Sequence, residues 1–170
     1  MAPGADDAAL PRPYRLADEP ALGRWRAIAV DPNWPLVGLM LAGAWLGWPW
    51  FLVNARALGS PTRRRELAWV LAGLVGSLVL GVLLLELLAL GVLRGPVPLQ
   101  LGLLAIATWK LIAAAAVHGL QGRTLPRFVG EGGEAQSGLG VLLVAVFVGR
   151  AIVLSLVDDP LWALLVGGVF

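Results

Sequence analysis

An all-α, integral membrane helical bundle with about four apolar segments is the fold class this sequence predicts, and three observations predict it. The 170 residues are 58% hydrophobic and only 14% charged, whereas a soluble domain carries about a quarter charged residues. The mean hydropathy is +0.80. The charges are also segregated: residues 67–93 hold one, Glu86, in 27 positions, and an apolar run of about 18 or more residues is the signature of a transmembrane helix.

The chain divides into a polar tail, 1–33, and a membrane helical domain, 34–170. The tail mixes five acidic and four basic residues with five prolines. Its opening, MAPGADDAALPRP, reads as disordered. Residues 15–30 read as a short surface helix with Leu22, Trp25, Ile28 and Ala29 on its apolar face. The tail has no apolar h-region, so no cleavable signal peptide is expected. Trp34-Pro35 then restarts the chain at the membrane boundary, because proline is tolerated at a helix's first position, where its missing N–H has no partner to lose.

Four apolar segments follow, at 34–53, 67–93, 99–120 and 139–157. About 20 helical residues are needed to cross a hydrocarbon core about 30 Å thick, and all four are near or above that length. RGPVP joins the second and third segments into a tight antiparallel hairpin. QGRTLPRFVGEGGEAQSG, rich in glycine, reads as a flexible loop before the fourth. Asp158-Asp159-Pro160 ends that segment, and LWALLVGGVF is too short to span.

The first segment carries two topologies. If it crosses, Arg24, Arg26 and Arg94 lie on one side and Arg56, Arg63, Arg64, Arg65, Arg123 and Arg127 on the other. If it enters and leaves by one face, Arg94 stands alone against the other eight, a cleaner positive-inside bias. Length favours the crossing; the arginines favour the return, with a break at Gly47-Trp48-Pro49. Both remain open at this point.

Three charges lie within apolar segments, where a charge costs several kcal/mol. Glu86 and Lys110 sit on the two arms of the hairpin at depths about one helical turn apart. They read either as a pair fixing helix register or as an ion pair lining a proton or substrate path. Arg150 faces inward toward Glu86 or snorkels toward Asp158 and Asp159. His118, the single histidine, reads as an interfacial hydrogen-bonding group near a helix C-terminus. A protein-built zinc site needs about three His, Cys or acidic ligands, and the chain has no cysteine. No cofactor is expected. Gly43 with Gly47 forms a GxxxG, and Gly73, Ser77 and Gly81 form a ridge of small residues; both patterns let helix backbones approach closely.

Several functions are disfavoured. The arginines flank apolar segments, as orientation signals do, so nucleic acid is not an expected partner. GEGGEAQSG lacks the GK[ST] of a phosphate loop. No HExxH, paired-carboxylate or Ser-His-Asp pattern gives an enzyme reading a foothold. The stretch GWPWFLVNARALGSPTRRRE resembles a pattern in uncharacterised small bacterial multi-pass membrane proteins, through Gly47, Pro49, Asn54, Ala57, Leu58 and Gly59 followed by the basic loop Arg63–Arg65. The resemblance implies a membrane class and no activity. Asn54 is expected to cap the first segment's end, with Gly59-Ser60-Pro61 turning the chain.

The expectation is therefore a multi-pass protein of the bacterial cytoplasmic (inner) membrane, partnered by the lipid bilayer and by a membrane protein or a second copy of itself. It would act as a scaffold or accessory subunit. The alternative is a small transporter or channel subunit using Glu86 and Lys110.

Overall fold

The computed structural model describes residues 24–167, and its secondary structure is helical, with one isolated parallel bridge between Val30 and Gln136. The expectations for residues 1–23 lie outside this range. Within the remainder of the expected surface helix, Arg24–Ile28 forms a single 3-10 turn. Trp25 and Ile28 are exposed on it, and Ala29 just beyond is fully buried.

Two long helices form the frame: α3, Arg63–Ala89, and α4, Pro96–Gly130. Both are long and apolar enough to cross a membrane. At 1.5 Å per residue they run about 40 and 52 Å. Their buried positions fall on single stripes. On α3 these are Glu66, Val70, Gly73, Ser77, Gly81 and Leu84; on α4 they include Ile106, Lys110, Ala113, Val117, Gln121, Thr124 and Phe128. Spacings of three and four keep each set on one face of a 3.6-residue helix. The two stripes share a core cluster in which Val70 meets Ala113, Ala114 and Val117.

α4 extends ten residues beyond the expected apolar segment, so residues 121–130 are helical and not loop. Pro126 removes one ladder hydrogen bond. The extension is held by burial of Gln121, Thr124 and Phe128, the last packed with Ala29, Ala57 and Leu58.

The first apolar segment folds back on itself. Asn33–Leu41 forms α1 and Ala44–Ala57 forms α2, about 14 and 21 Å long, so neither reaches across a hydrocarbon core of about 30 Å. The reversal falls at Ala42-Gly43 and not at the expected Gly47-Trp48-Pro49, which lies inside α2. Gly43 has φ 120°, a conformation closed to residues bearing a Cβ, whereas Pro49 merely forgoes a hydrogen bond in a helix that continues past it. The hairpin is tight: a Cβ added to Gly47 would sit 2.7 Å from the Leu39 Cα. Its two ends meet, since the Val30 amide donates to Asn54 Oδ1 at 2.9 Å.

The fourth segment is also in pieces. α5, Leu139–Val144, passes through a π-helical turn, Ala145–Gly149, into α6, Arg150–Ser155. Gly149 lies under the Trp45 ring. After Asp159, whose carboxylate accepts from the Leu161 and Trp162 amides, α7 (Pro160–Val166) turns back along α3 and α6. The Trp162 indole donates to Val153 O at 2.9 Å, and Leu161 rests over Gly81.

α2, α3 and α4 end in the same way. Gly59, Gly91 and Gly132 adopt φ of 63°, 66° and 78°. In each case the glycine and the following residue donate backward to the last helical turn, as in Ser60 N to Ala55 O. This is the Schellman arrangement, and it confirms Gly59-Ser60 as the turn after α2.

Candidate functional site

Where the end of α2, the start of α3 and the last turns of α4 converge, three polar side chains are buried together. Gln121 is fully buried and makes three hydrogen bonds. Its Nε2 donates to Phe51 O at 2.8 Å and to Glu66 Oε2 at 2.9 Å. Its Oε1 accepts from Asn54 Nδ2 at 2.9 Å. Asn54 thus binds the Val30 amide with one end and Gln121 with the other. It does not cap α2, because both ends of its side chain are already engaged by other elements.

Glu66 closes the cluster. It is fully buried, yet its Oε1 accepts from the Ser60 hydroxyl and from Thr62 Oγ1 at 2.8 Å, while Oε2 takes the Gln121 amide. A carboxylate in the first turns of a helix also sits at the positive end of the helix dipole. Three donors and that dipole replace the water a buried carboxylate would lose. The residues come from four places in the sequence, which is why no local motif announced them. The signal that was present is the continuation of α4's stripe, Val117–Gln121–Thr124–Phe128, into polar residues.

Of the sequence-predicted intramembrane groups, Lys110 and Glu86 are not brought together. Glu86 lies off the buried stripe of α3, exposed, three residues from that helix's end. Lys110 is buried on the stripe of α4, and its Nζ donates to Leu164 O at 2.5 Å and Gly167 O at 3.3 Å. It caps the C-terminal end of α7, where the last carbonyls of a helix lack internal partners. A cation is favoured at that end of the helix dipole.

Arg150 Nη1 donates to Leu41 O at the end of α1, 3.2 Å away. Two short helices therefore end beneath cationic side chains. His118 Nε2 is 3.0 Å from Asn33 Oδ1, joining α4 to the start of α1.

The small residues divide by role. Gly43 makes the hairpin turn, so it is not part of a packing ridge. Gly47 packs on Leu39 of α1. A Cβ at Gly73 would lie 2.7 Å from the Trp48 ring and 3.2 Å from Ala113 Cβ, and Gly81 admits Leu161. Ser77 turns its hydroxyl to Gly73 O at 2.6 Å, which satisfies it in an apolar setting.

Beside the polar cluster lies a cavity of about 520 Å³ between the 3-10 turn, the end of α2 and the end of α4. Arg26, Arg56 and Arg127 reach it, with Trp25, Phe128 and Thr124 among the lining residues. The Arg26 guanidinium lies 5.0 Å over the Phe128 ring and that of Arg56 4.8 Å over Trp25. Glu131 accepts from Arg127 at 2.9 Å and from Arg26 at 3.4 Å. The hydrogen bond from Arg127, with the charges of both arginines, holds the Glu131 carboxyl below its usual value of 4.5.

No protein-family model, curated protein or solved structure matches the chain.

Proposed function

We propose that this chain is a multi-pass integral protein of the bacterial cytoplasmic membrane. In this reading it acts as a scaffold or accessory subunit, with α3 and α4 crossing the bilayer and α1–α2 and α7 as re-entrant elements. Several features support the membrane placement. Only 28% of the most apolar window of either long helix is buried within the protein, so these helices do not resemble the buried core helices of a soluble fold. The arginines support the orientation. Arg24 and Arg26 precede α1, Arg56 ends α2, Arg63–Arg65 open α3, and Arg123 and Arg127 lie in the last turns of α4. With the first segment folded back these eight share one end of the bundle, leaving Arg94 at the other, and the basic end is the cytoplasmic one.

One observation carries the scaffold reading: Lys110, the most buried cation of the apolar segments, is committed to the carbonyls of α7. A side chain that holds two helices together is a structural part. The transport alternative needs Lys110 and Glu86 on a shared path, and they stand on different faces. As a scaffold, the chain would engage another membrane protein, or a second copy, through its apolar outer faces.

Two experiments test this. Single cysteines at Ala27, Arg64 and Val92 are read with a membrane-impermeant thiol reagent in intact cells and in inverted vesicles. The first two should label from the cytoplasmic side and Val92 from the opposite side; labelling of Ala27 and Arg64 from opposite sides overturns the re-entrant topology. The purified protein is then reconstituted into vesicles carrying a pH-sensitive dye. Ion or proton flux above empty vesicles, lost in Lys110→Met, would replace the scaffold reading with the transporter.

A further inference from the structure

We infer that the cavity bounded by Arg26, Arg56 and Arg127 is a binding site for a phosphate ester. Positive charge near a membrane face is by itself only an orientation signal, and orientation requires no particular geometry of the side chains. Here the geometry is specific. Two guanidinium groups lie over aromatic faces, Arg26 on Phe128 and Arg56 on Trp25. An aromatic face engages the guanidinium without consuming its N–H groups, which stay able to bind a phosphate in bidentate fashion. Three arginines share the cavity with one acid, Glu131, so the site holds an excess of two positive charges. Among the described residues, Arg26 Nε is buried and has no hydrogen-bond partner. A buried N–H of a charged group without an acceptor is costly, and a bound phosphate oxygen would supply one.

The cavity's size sets the class of ligand. About 520 Å³ lies within the range of small-molecule pockets and has room for a phosphate together with an organic substituent. The apolar walls, Trp25, Phe128 and Leu58, would lie against that substituent. Two sources present this chemistry: the headgroup of an anionic phospholipid in the adjacent leaflet, and a soluble phosphate monoester. The geometry suits a phosphate ester from either source, and it does not depend on whether the chain serves as a scaffold.

The test uses the full-length protein in phosphatidylcholine nanodiscs. In one arm glycerol 3-phosphate is titrated by calorimetry. In the other, phosphatidylglycerol is mixed into the disc and its retention on the released protein is read by native mass spectrometry. Arg26→Gln/Arg56→Gln should weaken binding about tenfold or more, as expected for losing charge-assisted hydrogen bonds. Arg63→Gln/Arg64→Gln removes the same charge outside the cavity and should weaken it less than about threefold.

Binding of glycerol 3-phosphate without preferential retention of phosphatidylglycerol assigns the soluble source, and the converse assigns the lipid. If neither ligand binds, or both double variants weaken binding equally, the site is refuted. Arg56→Gln alone, at an exposed position, provides the same comparison should the double variant fail to fold.

Discussion

Replacing Gln121 with leucine tests the cluster that joins α2, α3 and α4. The substitution keeps the side chain's approximate volume and removes all three of its hydrogen bonds. Phe51 O, Glu66 Oε2 and Asn54 Nδ2 are then left facing an apolar side chain in a fully buried site. A buried polar group without a partner costs about 1–3 kcal/mol. Glu66 keeps its bonds from Ser60 and Thr62, and Asn54 keeps the Val30 amide, so the lower half of the summed range applies. The expected destabilisation is about 3–6 kcal/mol, a large share of the roughly 5–15 kcal/mol of an ordinary domain.

The assay is equilibrium unfolding in mixed micelles, with the midpoint shift evaluated at a common slope. A double-mutant cycle with Glu66→Met sharpens it. With carboxylate and amide both removed, the double variant should be more stable than the sum of the single losses by about 1–3 kcal/mol. If Gln121→Leu costs less than about 1 kcal/mol, or the two losses simply add, the cluster does not hold these helices as described.

Further predictions address other contacts. Gly47→Ala forces the new Cβ into the Leu39 backbone and should cost about 1–3 kcal/mol. Gly119→Ala, which meets nothing within 4 Å, should be neutral or slightly stabilising by the helix preference of alanine; equal effects in the same unfolding assay would contradict the tight α1–α2 hairpin. Lys110→Met leaves Leu164 O and Gly167 O without their cation, so α7 amides should exchange at least about tenfold faster with deuterium while the centre of α4 keeps its protection.

The Glu131 carboxyl is lowered on folding, chiefly by the Arg127 hydrogen bond. Its contribution is therefore present above the unfolded-state value and is lost as pH falls through the folded value. Glu131→Gln should lower the plateau of stability above a pH of about 4.5 and flatten the acid limb below it; an unaltered acid limb would show that the pairing with Arg127 and Arg26 carries no weight.

The helical class and the two long helices were legible because their signal is local. Residues 67–93 contain one charge, and backbone hydrogen bonds in such a run are satisfied within the segment. The stripe of α4, from Ile106 through Lys110, Val117 and Gln121 to Phe128, is equally local. The expected segment nevertheless stops at Leu120, because the arginines, glycines and Pro126 that follow read as a loop, whereas the structure carries the helix on to Gly130.

The first segment was different. Its length and its arginine count pointed to opposite topologies, and either is compatible with its composition. What folds the segment back is a backbone conformation at Gly43 and the contact of Gly47 with Leu39, both set by how two short helices pack. The partners of the buried polar groups were also beyond the sequence. Asn54, Glu66 and Gln121 lie far apart in the chain, and a hydrogen bond between them exists only once three helix ends converge. Lys110 had a nearer candidate in Glu86, but α3 presents its small-residue stripe to α4 and turns Glu86 away, while α7 brings two orphan carbonyls to Lys110. The sequence by itself determined the helical class and the two long apolar helices, because hydropathy and periodicity are properties of neighbouring residues. Only the tertiary structure decided where the chain reverses and which buried group satisfies which, because these depend on residues that packing alone makes neighbours.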